Sequence, residues 1–151
     1  MEPTVFAAVF IALFVAHQVG DHWVQSSCQA AAKGGTGRTA RRACAAHVAS
    51  LTATKLVFLA PLALLGISLH PAALLVALAV DAATHYWADR RTTLAALAAR
   101  CGKGGFYRLG APREGRDDNP SLGTGAYALD QSFHIAWLFV AALIASIGGA
   151  V

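Results

Sequence analysis

Charged side chains are scarce in this chain of 151 residues, because only 13% of them are Asp, Glu, Lys or Arg. In a typical soluble domain about a quarter of the residues are charged. Hydrophobic residues make up 56% of the chain, and the mean hydropathy is +0.52. This composition excludes an ordinary soluble domain and predicts a protein that resides in a lipid bilayer.

Cysteine is also rare, and the three residues Cys28, Cys44 and Cys101 form no C-x-x-C pair. We therefore expect reduced, chemically inert thiols rather than a disulfide framework or thiolate ligands. No serine lies in a G-x-S-x-G context, so the sequence offers no acyl-enzyme signature. The glycine-rich stretch at 33–40, KGGTGRTA, does not match the P-loop pattern and predicts a flexible loop.

Long apolar segments dominate what is present. A membrane-spanning helix needs about 20 mostly apolar residues, and four segments approach this requirement, at residues 4–24, 43–69, 72–87 and 126–151. No Lys or Arg precedes the first segment, and His17 and Asp21 interrupt the place of a cleavage site, so we interpret it as a membrane anchor rather than a signal peptide. We predict one all-α domain over residues 1–151, a bundle of four transmembrane helices.

Basic residues concentrate in the two predicted polar loops, at 26–42 and 90–124. The positive-inside rule places both loops in the cytoplasm and both termini outside. Such a basic collar favours anionic lipid head groups, whereas few aromatic residues accompany it to stack bases, so nucleic acid is not an expected partner. TTLAALAARCG predicts a short amphipathic surface helix ending at Gly102. The stretch 103–125 is either a lid or a disordered loop.

Polar residues recur inside the apolar segments at helical spacing. His17, Asp21 and Gln25 lie four residues apart, as do Asp81, His85 and Asp89 and the pair Asp130 and His134, while His47 stands alone. At about 1.5 Å per residue, the histidines fall in one layer, roughly 6–12 Å from the predicted cytoplasmic face. An acid in a bilayer costs about 2.5–3.5 kcal/mol at a helix centre, so these side chains must face the bundle interior and find partners there.

Carboxylate and imidazole groups from facing helices are how helical bundles build metal centres. We therefore predict a site for one or two divalent ions of Zn, Fe or Mn. The predicted ligands are His17, Asp21, His47, His85, Asp89, Asp130 and His134. Gln25, Gln131 and Asp81 are expected to support them from a second shell.

Alternatives remain open at this stage. Each Asp–His pair could be a hydrogen-bonded structural pair, and the whole layer could relay protons without a metal. Asp81 lies at a depth close to that of Lys55, so an internal ion pair is as good an interpretation as a role in the metal site. His22 points away from the His17 face, and His70 lies in the outer turn. We leave both outside the site.

The motifs H-x-x-x-D in the first segment, a lone His in the second, H-x-x-x-D-R-R ending the third and D-Q-x-x-H opening the fourth resemble a family of small bacterial and phage membrane proteins of unknown function. The matching residues are His17 and Asp21, His47, His85 and Asp89, and Asp130, Gln131 and His134. Asp81 lies outside this pattern. More distantly, the pattern is similar to membrane-bound metal-dependent hydrolases of bacteria. This resemblance implies the bacterial inner membrane as the location.

The leading hypothesis is a metal-dependent hydrolase of a lipid or lipid-linked substrate, with Asp21, Asp89 or Asp130 as general base. A di-iron membrane oxidase or hydroxylase is the nearest alternative. A third hypothesis belongs to a different functional class, in which the protein is a non-enzymatic ion or proton conduit or a membrane effector. Small residues in GISLHP and SIGGAV would permit a homo-oligomer.

Overall fold

A computed structural model describes residues 2–112 and 123–151. Within these ranges the chain is all-helical, and the one β-type contact is an isolated bridge between Ser68 and Ala150. Four long helices, α1 (Pro3–Val19), α3 (Gly37–Leu59), α4 (Pro71–Asp89) and α7 (Gly125–Ala145), form the body of the molecule. Each packs against two others, α1 on α3 and α7, and α4 on α7 and α3. The all-α prediction is confirmed, and the four helices close into one bundle.

In the part of the chain that the structure describes, three helical segments are long and apolar enough to cross a membrane, Pro3–Val24, Gly37–Leu65 and Gly125–Ala145. The fourth long helix, α4, has 19 residues and buries Asp81, His85 and Asp89. These polar side chains lower the apolar content of α4. By length and composition, only the other three segments therefore qualify as candidate spans, whereas we predicted four. α4 nevertheless lies inside the bundle with the other three.

The first predicted loop, at 26–42, is largely helical. A short helix, α2 (Ser27–Ala32), begins with a capping box in which the Ser26 hydroxyl accepts from the Gln29 N–H and the Gln29 side chain accepts from the Ser26 N–H. Helix α3 begins at Gly37, before the predicted start at residue 43. Our boundary followed hydropathy, but arginine is a good helix former, so the helix continues into the polar region. Only a short turn within KGGTGRTA is non-helical.

At its other end α3 tightens into a 3₁₀ turn, Ala60–Leu65, and the helical structure stops at Gly66. The second predicted segment, 43–69, is therefore helical only as far as Leu65, since Gly66 adopts a left-handed conformation with φ of 81°. The following residues form the bridge between Ser68 and Ala150, which ties the α3–α4 connection to the end of the chain.

The predicted amphipathic helix is present as α5 (Thr92–Arg100), with Gly102 just beyond its end. Leu94 and Ala98 are its buried residues, and α5 packs against α4 and against the short helix α6 (Gly104–Tyr107). A Cβ on Gly125 would lie 1.7 Å from the Phe106 carbonyl oxygen, so only glycine allows α6 to sit on the start of α7. Residues 113–122 of the predicted lid lie outside the described residues.

The bundle has two unlike ends. We call the end that holds Val5, Val9, Leu62, Leu138 and Ala145 the apolar end, because its interior is a continuous hydrophobic core. We call the opposite end, where the buried histidines lie, the polar end. α1 and α4 run towards the polar end, whereas α3 and α7 run away from it.

Candidate metal centre

All four long helices contribute buried polar side chains to the polar end. His17 comes from α1, His47 from α3, His85 from α4 and His134 from α7, and each is at most 2% exposed. Asp89 from the last turn of α4 is 1% exposed. The up-and-down course of the bundle brings residues late in α1 and α4 to the same level as residues early in α3 and α7.

A π turn, Gly20–Val24, continues α1 and carries Asp21. Its widened geometry is closed by the Gln25 N–H, which donates to the Gly20 carbonyl at 2.9 Å. A Cβ on Gly20 would lie 2.2 Å from the Leu51 Cδ1, so glycine lets α1 approach α3 closely at this level. Single π turns inside helices are frequent at functional sites. Here the turn presents Asp21 to the histidines of α3 and α4.

Asp21, His47 and His85 form a compact triad of ligand atoms. The His47 Nε2 lies 3.1 Å from the Asp21 Oδ1 and 3.1 Å from the His85 Nε2. The third side of the triangle, from the His85 Nε2 to the Asp21 Oδ1, is 3.7 Å. Ligands arranged tetrahedrally at about 2.0–2.1 Å from a zinc ion lie about 3.3–3.4 Å apart. The spacing of the triad therefore suits three ligands of one ion.

Asp89 approaches the same two histidines from α4. Its Oδ2 lies 3.4 Å from the His47 Nε2 and 3.2 Å from the His85 Nε2. These separations are again those of neighbouring ligands on one ion.

A second group of potential ligands, His85, Asp89 and His134, adjoins the first and shares His85 with it. The His134 Nε2 lies 3.9 Å from the Asp89 Oδ1, and its ring stacks on that of His85 with centroids 3.9 Å apart. These buried groups of His and Asp could therefore hold a metal ion.

Several buried polar atoms at this end have no hydrogen-bond partner among the described residues. They include the Asp21 Oδ1, the Asp89 Oδ2, the His134 Nε2 and both ring nitrogens of His17. The two carboxylate oxygens lie 3.1 Å from the His47 Nε2 and 3.2 Å from the His85 Nε2, respectively, but without the alignment of a hydrogen bond. Buried polar groups are nearly always satisfied, and each exception calls for an explanation such as a bound ion or water. The unsatisfied carboxylate oxygens are the same atoms that complete the ligand groups. The Nδ1 atoms of His47 and His85 also have no partner among the described residues.

Lys33, at the end of α2, is a member of the cluster that the sequence analysis missed. Its side chain is buried and its Nζ lies 2.8 Å from the Asp89 Oδ1. We had assigned Lys33 to the exposed basic loop, because no local pattern couples it to a residue 56 positions away.

The R-R dipeptide that ends α4 explains how Lys33 is held. The Arg90 guanidinium donates to the Lys33 carbonyl at 2.5 Å and also to the Gly35 carbonyl. The Arg91 Nη2 donates to the Ala30 carbonyl at 3.2 Å. Both arginines therefore fasten the α2–α3 connection to the end of α4, beside Asp89. The H-x-x-x-D-R-R pattern was a signal of this contact, although sequence alone did not identify its partner.

Two predicted ligands lie beside the two ligand groups rather than within them. The His17 Nε2 is 3.6 Å from the Asp21 Oδ2, and the His17 ring packs edge-on against His85 with centroids 5.5 Å apart. Asp130 places its Oδ1 3.4 Å from the His134 Nε2 and is 25% exposed. His17 therefore lies beside the cluster and contacts His85, and Asp130 lies at the accessible edge of the cluster.

Of the two glutamines that we predicted to support the ligands, Gln131 contacts Asp21 and Gln25 borders the cavity. The Gln131 Nε2 lies 3.5 Å from an Asp21 carboxylate oxygen and 3.5 Å from an Asp130 carboxylate oxygen. Gln25 lines the cavity above the cluster, and its Nε2 is buried without a partner among the described residues.

Asp81 belongs to a separate ion pair. Its Oδ2 accepts from the Lys55 Nζ at 2.5 Å, and both residues are buried, Lys55 completely. Asp81 is in neither ligand group. Of the two interpretations that the sequence left open, the structure therefore contains the Lys55–Asp81 pair.

A cavity of about 540 Å³ opens over the cluster at the polar end. Asp21, Asp89 and Asp130 reach its wall, together with Lys33 and Arg91. α5, α6 and the residues after them contribute its outer wall, which includes Tyr107. Burial raises the pKa of Tyr107, and the nearby Asp130 carboxylate raises it further, so its hydroxyl stays protonated. The site can thus be reached from the end of the bundle.

Other reactive side chains lie outside the two ligand groups, although His22 also borders the cavity. His22 is exposed and shares a hydrogen bond of 3.0 Å with the Tyr127 hydroxyl at the cavity wall, and His70 is exposed before α4. The three cysteines are free thiols, with Cys44 buried and the other two exposed. Cys44 lies near Tyr86, to whose carbonyl its thiol donates.

Comparison with known proteins yields a family without an assigned activity. Neither a curated protein nor a solved structure matches the chain. One family model matches residues 9–149, a range that includes both ligand groups and Lys33. The chain belongs to this family, which is described as "Protein of unknown function (DUF3307)".

Proposed function

We propose that the protein is a membrane-embedded metal-dependent hydrolase acting on a lipid or lipid-linked substrate. The observation that carries this proposal is the convergence of Asp21, His47, His85 and Asp89, from three helical segments, on separations suited to shared ligation. These atoms lie in a buried interior, yet a cavity leads to them. A buried, preformed ligand set beside an accessible space is typical of catalytic rather than structural metal sites.

The charge of the cluster supports a divalent cation. Among the described residues, the carboxylates of Asp21, Asp89 and Asp130 stand against the ammonium group of Lys33 and the guanidinium group of Arg91, which leaves one negative charge if the histidines are neutral. Removing uncompensated charges from water is expensive, and a bound divalent cation offsets this cost. Zn, Fe and Mn all accept mixed imidazole and carboxylate ligands.

The protein groups divide naturally between ligation and proton transfer. A bound metal ion would activate water and polarise an ester or phosphoester oxygen. Asp130 is the best placed general base, because it lies outside both ligand groups and borders the cavity. Gln131 bridges Asp130 and Asp21, so it fixes the position of the base relative to the ligands.

The proposed setting is the bacterial cytoplasmic membrane, with α4 as a fourth span beside the three apolar helices. The polar end carries the arginines at the start of α3, the two that follow α4 and the one at the end of α5, so the positive-inside rule would place it in the cytoplasm with both termini outside. There the basic collar would contact anionic head groups, and the cavity would open where lipid head groups meet water.

Activity of purified protein in lipid nanodiscs tests this function. We expect the protein, loaded with Zn, Fe or Mn, to hydrolyse a phospholipid ester or phosphoester, and chelation to abolish turnover. Asp130→Asn should lower kcat by about 10²–10⁴-fold, the usual contribution of a general base, while the metal remains bound. His70→Ala, at the opposite end, is the matched control and should retain full activity. Metal-loaded protein that hydrolyses neither class of lipid bond would contradict the proposal.

Two adjoining ligand groups that share His85 also favour a second candidate, a di-iron oxidase. Iron at two ions per chain, with near-ultraviolet absorption from an oxo bridge, would select it over zinc hydrolysis. An ion conduit is opposed by the hydrophobic core, which fills the apolar end. Ion flux through reconstituted liposomes would overturn that argument.

A further inference from the structure

We infer that the cavity at the polar end is a phosphate-binding subsite, so that the substrate carries a phosphate group. This inference rests on the proposed function and narrows its substrate class. Phosphate recognition needs fixed cationic and neutral donors around an accessible space. The cavity supplies both beside the candidate metal ligands.

Two cationic side chains border the cavity, and the fold holds both in place. Lys33 is fastened by Arg90 through its own backbone carbonyl, and it is buried against Asp89. The Arg91 side chain crosses Gly34, where a Cβ would lie 2.5 Å from the Arg91 Cδ. Arginine presents several N–H donors in one plane, the geometry that binds phosphate through paired hydrogen bonds.

Neutral donors complete the wall. Tyr107 and Tyr127 border the cavity from α6 and α7, and the Tyr127 hydroxyl shares a hydrogen bond of 3.0 Å with His22. Gln25 adds a buried Nε2 with no partner among the described residues. A phosphate group can accept from several such donors at once, in addition to the two cations.

The charges also predict when phosphate binds. Three carboxylates and two cationic side chains reach the cavity wall, so without a metal the cavity repels an anion. A divalent cation reverses the sign of this balance. Phosphate affinity should therefore depend on the metal and, by thermodynamic linkage, phosphate should strengthen metal binding by the same factor.

The cavity has room for more than inorganic phosphate. Its volume of about 540 Å³ lies within the range of small-molecule sites, and Leu94, Leu109 and Pro112 add apolar surface. A phosphorylated glycerol head group fits this combination of charge and apolar wall. Its source would be either a membrane phospholipid or a soluble phosphoester.

Calorimetric titration of inorganic phosphate and glycerol phosphate into detergent-purified protein tests the inference. Metal content is first measured by elemental analysis. We expect both probes to bind the metal-loaded protein and to bind the chelated protein at least about tenfold more weakly. Nanodiscs with and without phosphatidic acid then distinguish the two sources. Competition by the lipid for glycerol phosphate indicates a membrane phospholipid, and unchanged glycerol phosphate binding indicates a soluble phosphoester.

Variants assign the effect to the cavity. Arg91→Gln should weaken phosphate binding about tenfold or more, because hydrogen bonds to charged groups are worth about one to two decades of affinity. Arg91→Lys should restore part of that loss. The matched control is Arg100→Gln, at the exposed end of α5, which should bind phosphate as the parent does.

The outcomes separate the two proposals. Protein that binds no divalent metal overturns both the proposed function and this inference. If metal-loaded protein binds neither phosphate probe, or if Arg91→Gln leaves the phosphate affinity unchanged, the phosphate subsite alone is overturned and the metal centre is unaffected.

Discussion

The two ends of the bundle differ in whether their buried side chains have partners. At the apolar end, Val9, Leu13 and Leu138 pack with almost no exposed surface, and Phe139 meets the rings of Phe6 and Phe10 edge-on. At the polar end, equally buried side chains leave carboxylate oxygens and ring nitrogens without partners among the described residues. The apolar end is complete as it stands, whereas the polar end is arranged for something further to bind.

The Lys55–Asp81 pair sharpens this contrast, because it is buried and polar yet complete. Its two charges neutralise one another at 2.5 Å. The His/Asp cluster retains excess negative charge. In this molecule a buried charge alone therefore does not indicate a metal site. The distinguishing property of the His/Asp cluster is its excess of negative charge over positive charge.

The largest expected effect comes from breaking the buried pair. Asp81→Ala leaves the Lys55 ammonium uncompensated, which should lower the free energy of unfolding by about 3–5 kcal/mol. Replacing both residues, with Lys55→Met and Asp81→Leu, should restore most of that stability. Denaturant unfolding in detergent measures both variants. Loss of metal in a stable double variant would mean that the pair belongs to the site, contrary to our assignment.

Cavity formation at the apolar end comes next. Leu138 is fully buried, and Leu138→Ala should lower the free energy of unfolding by about 2–5 kcal/mol. Metal affinity should be unaffected, since the polar end keeps its geometry. If this variant releases metal while it remains folded, the two ends of the bundle are not independent, which would contradict our account.

Removal of the shared ligand should separate metal binding from folding. His85 belongs to both ligand groups, so His85→Ala should weaken metal binding at least about 100-fold, the upper end of what loss of a supporting partner costs. Circular dichroism should show an unchanged helix content. The exposed His70→Ala variant controls for histidine removal and should bind metal normally.

The smallest effect is expected at the orienting glutamine. Gln131→Leu removes the 3.5 Å contact with Asp21 while it keeps the side-chain volume, and should weaken metal binding by about tenfold. Competition with a coloured chelator measures this change. A loss of metal affinity as large as that of His85→Ala would indicate that Gln131 is itself a ligand rather than a supporting residue.

Much of this arrangement could be predicted from local pattern. The four-residue spacing of His17 with Asp21, and of His85 with Asp89, fixed the helix faces, and the alternation of helix direction brought them to one level. The first and last residues of α3 were harder to predict, because hydropathy identifies the apolar region and not the helix that extends beyond it.

Features that depend on distant contacts could not be predicted. Lys33 is held beside the cluster by a long-range contact, in which the Arg90 guanidinium donates to the Lys33 carbonyl. The π turn at Gly20 had a visible signal, a glycine directly before the acid Asp21 in an apolar segment, but the close approach of Gly20 to Leu51 of α3 had none. His17 has the same four-residue spacing from an aspartate as His85, yet it lies outside both groups of potential ligands.

X-ray absorption spectroscopy of the metal in purified, metal-loaded protein tests the central claim most directly. We predict nitrogen and oxygen scatterers at about 2.0–2.2 Å, with the imidazole multiple-scattering signal of at least two histidines and no sulfur at about 2.3 Å. The same spectrum should disappear in His85→Ala. A sulfur-coordinated metal, or a spectrum that His85→Ala leaves unchanged, would contradict the account.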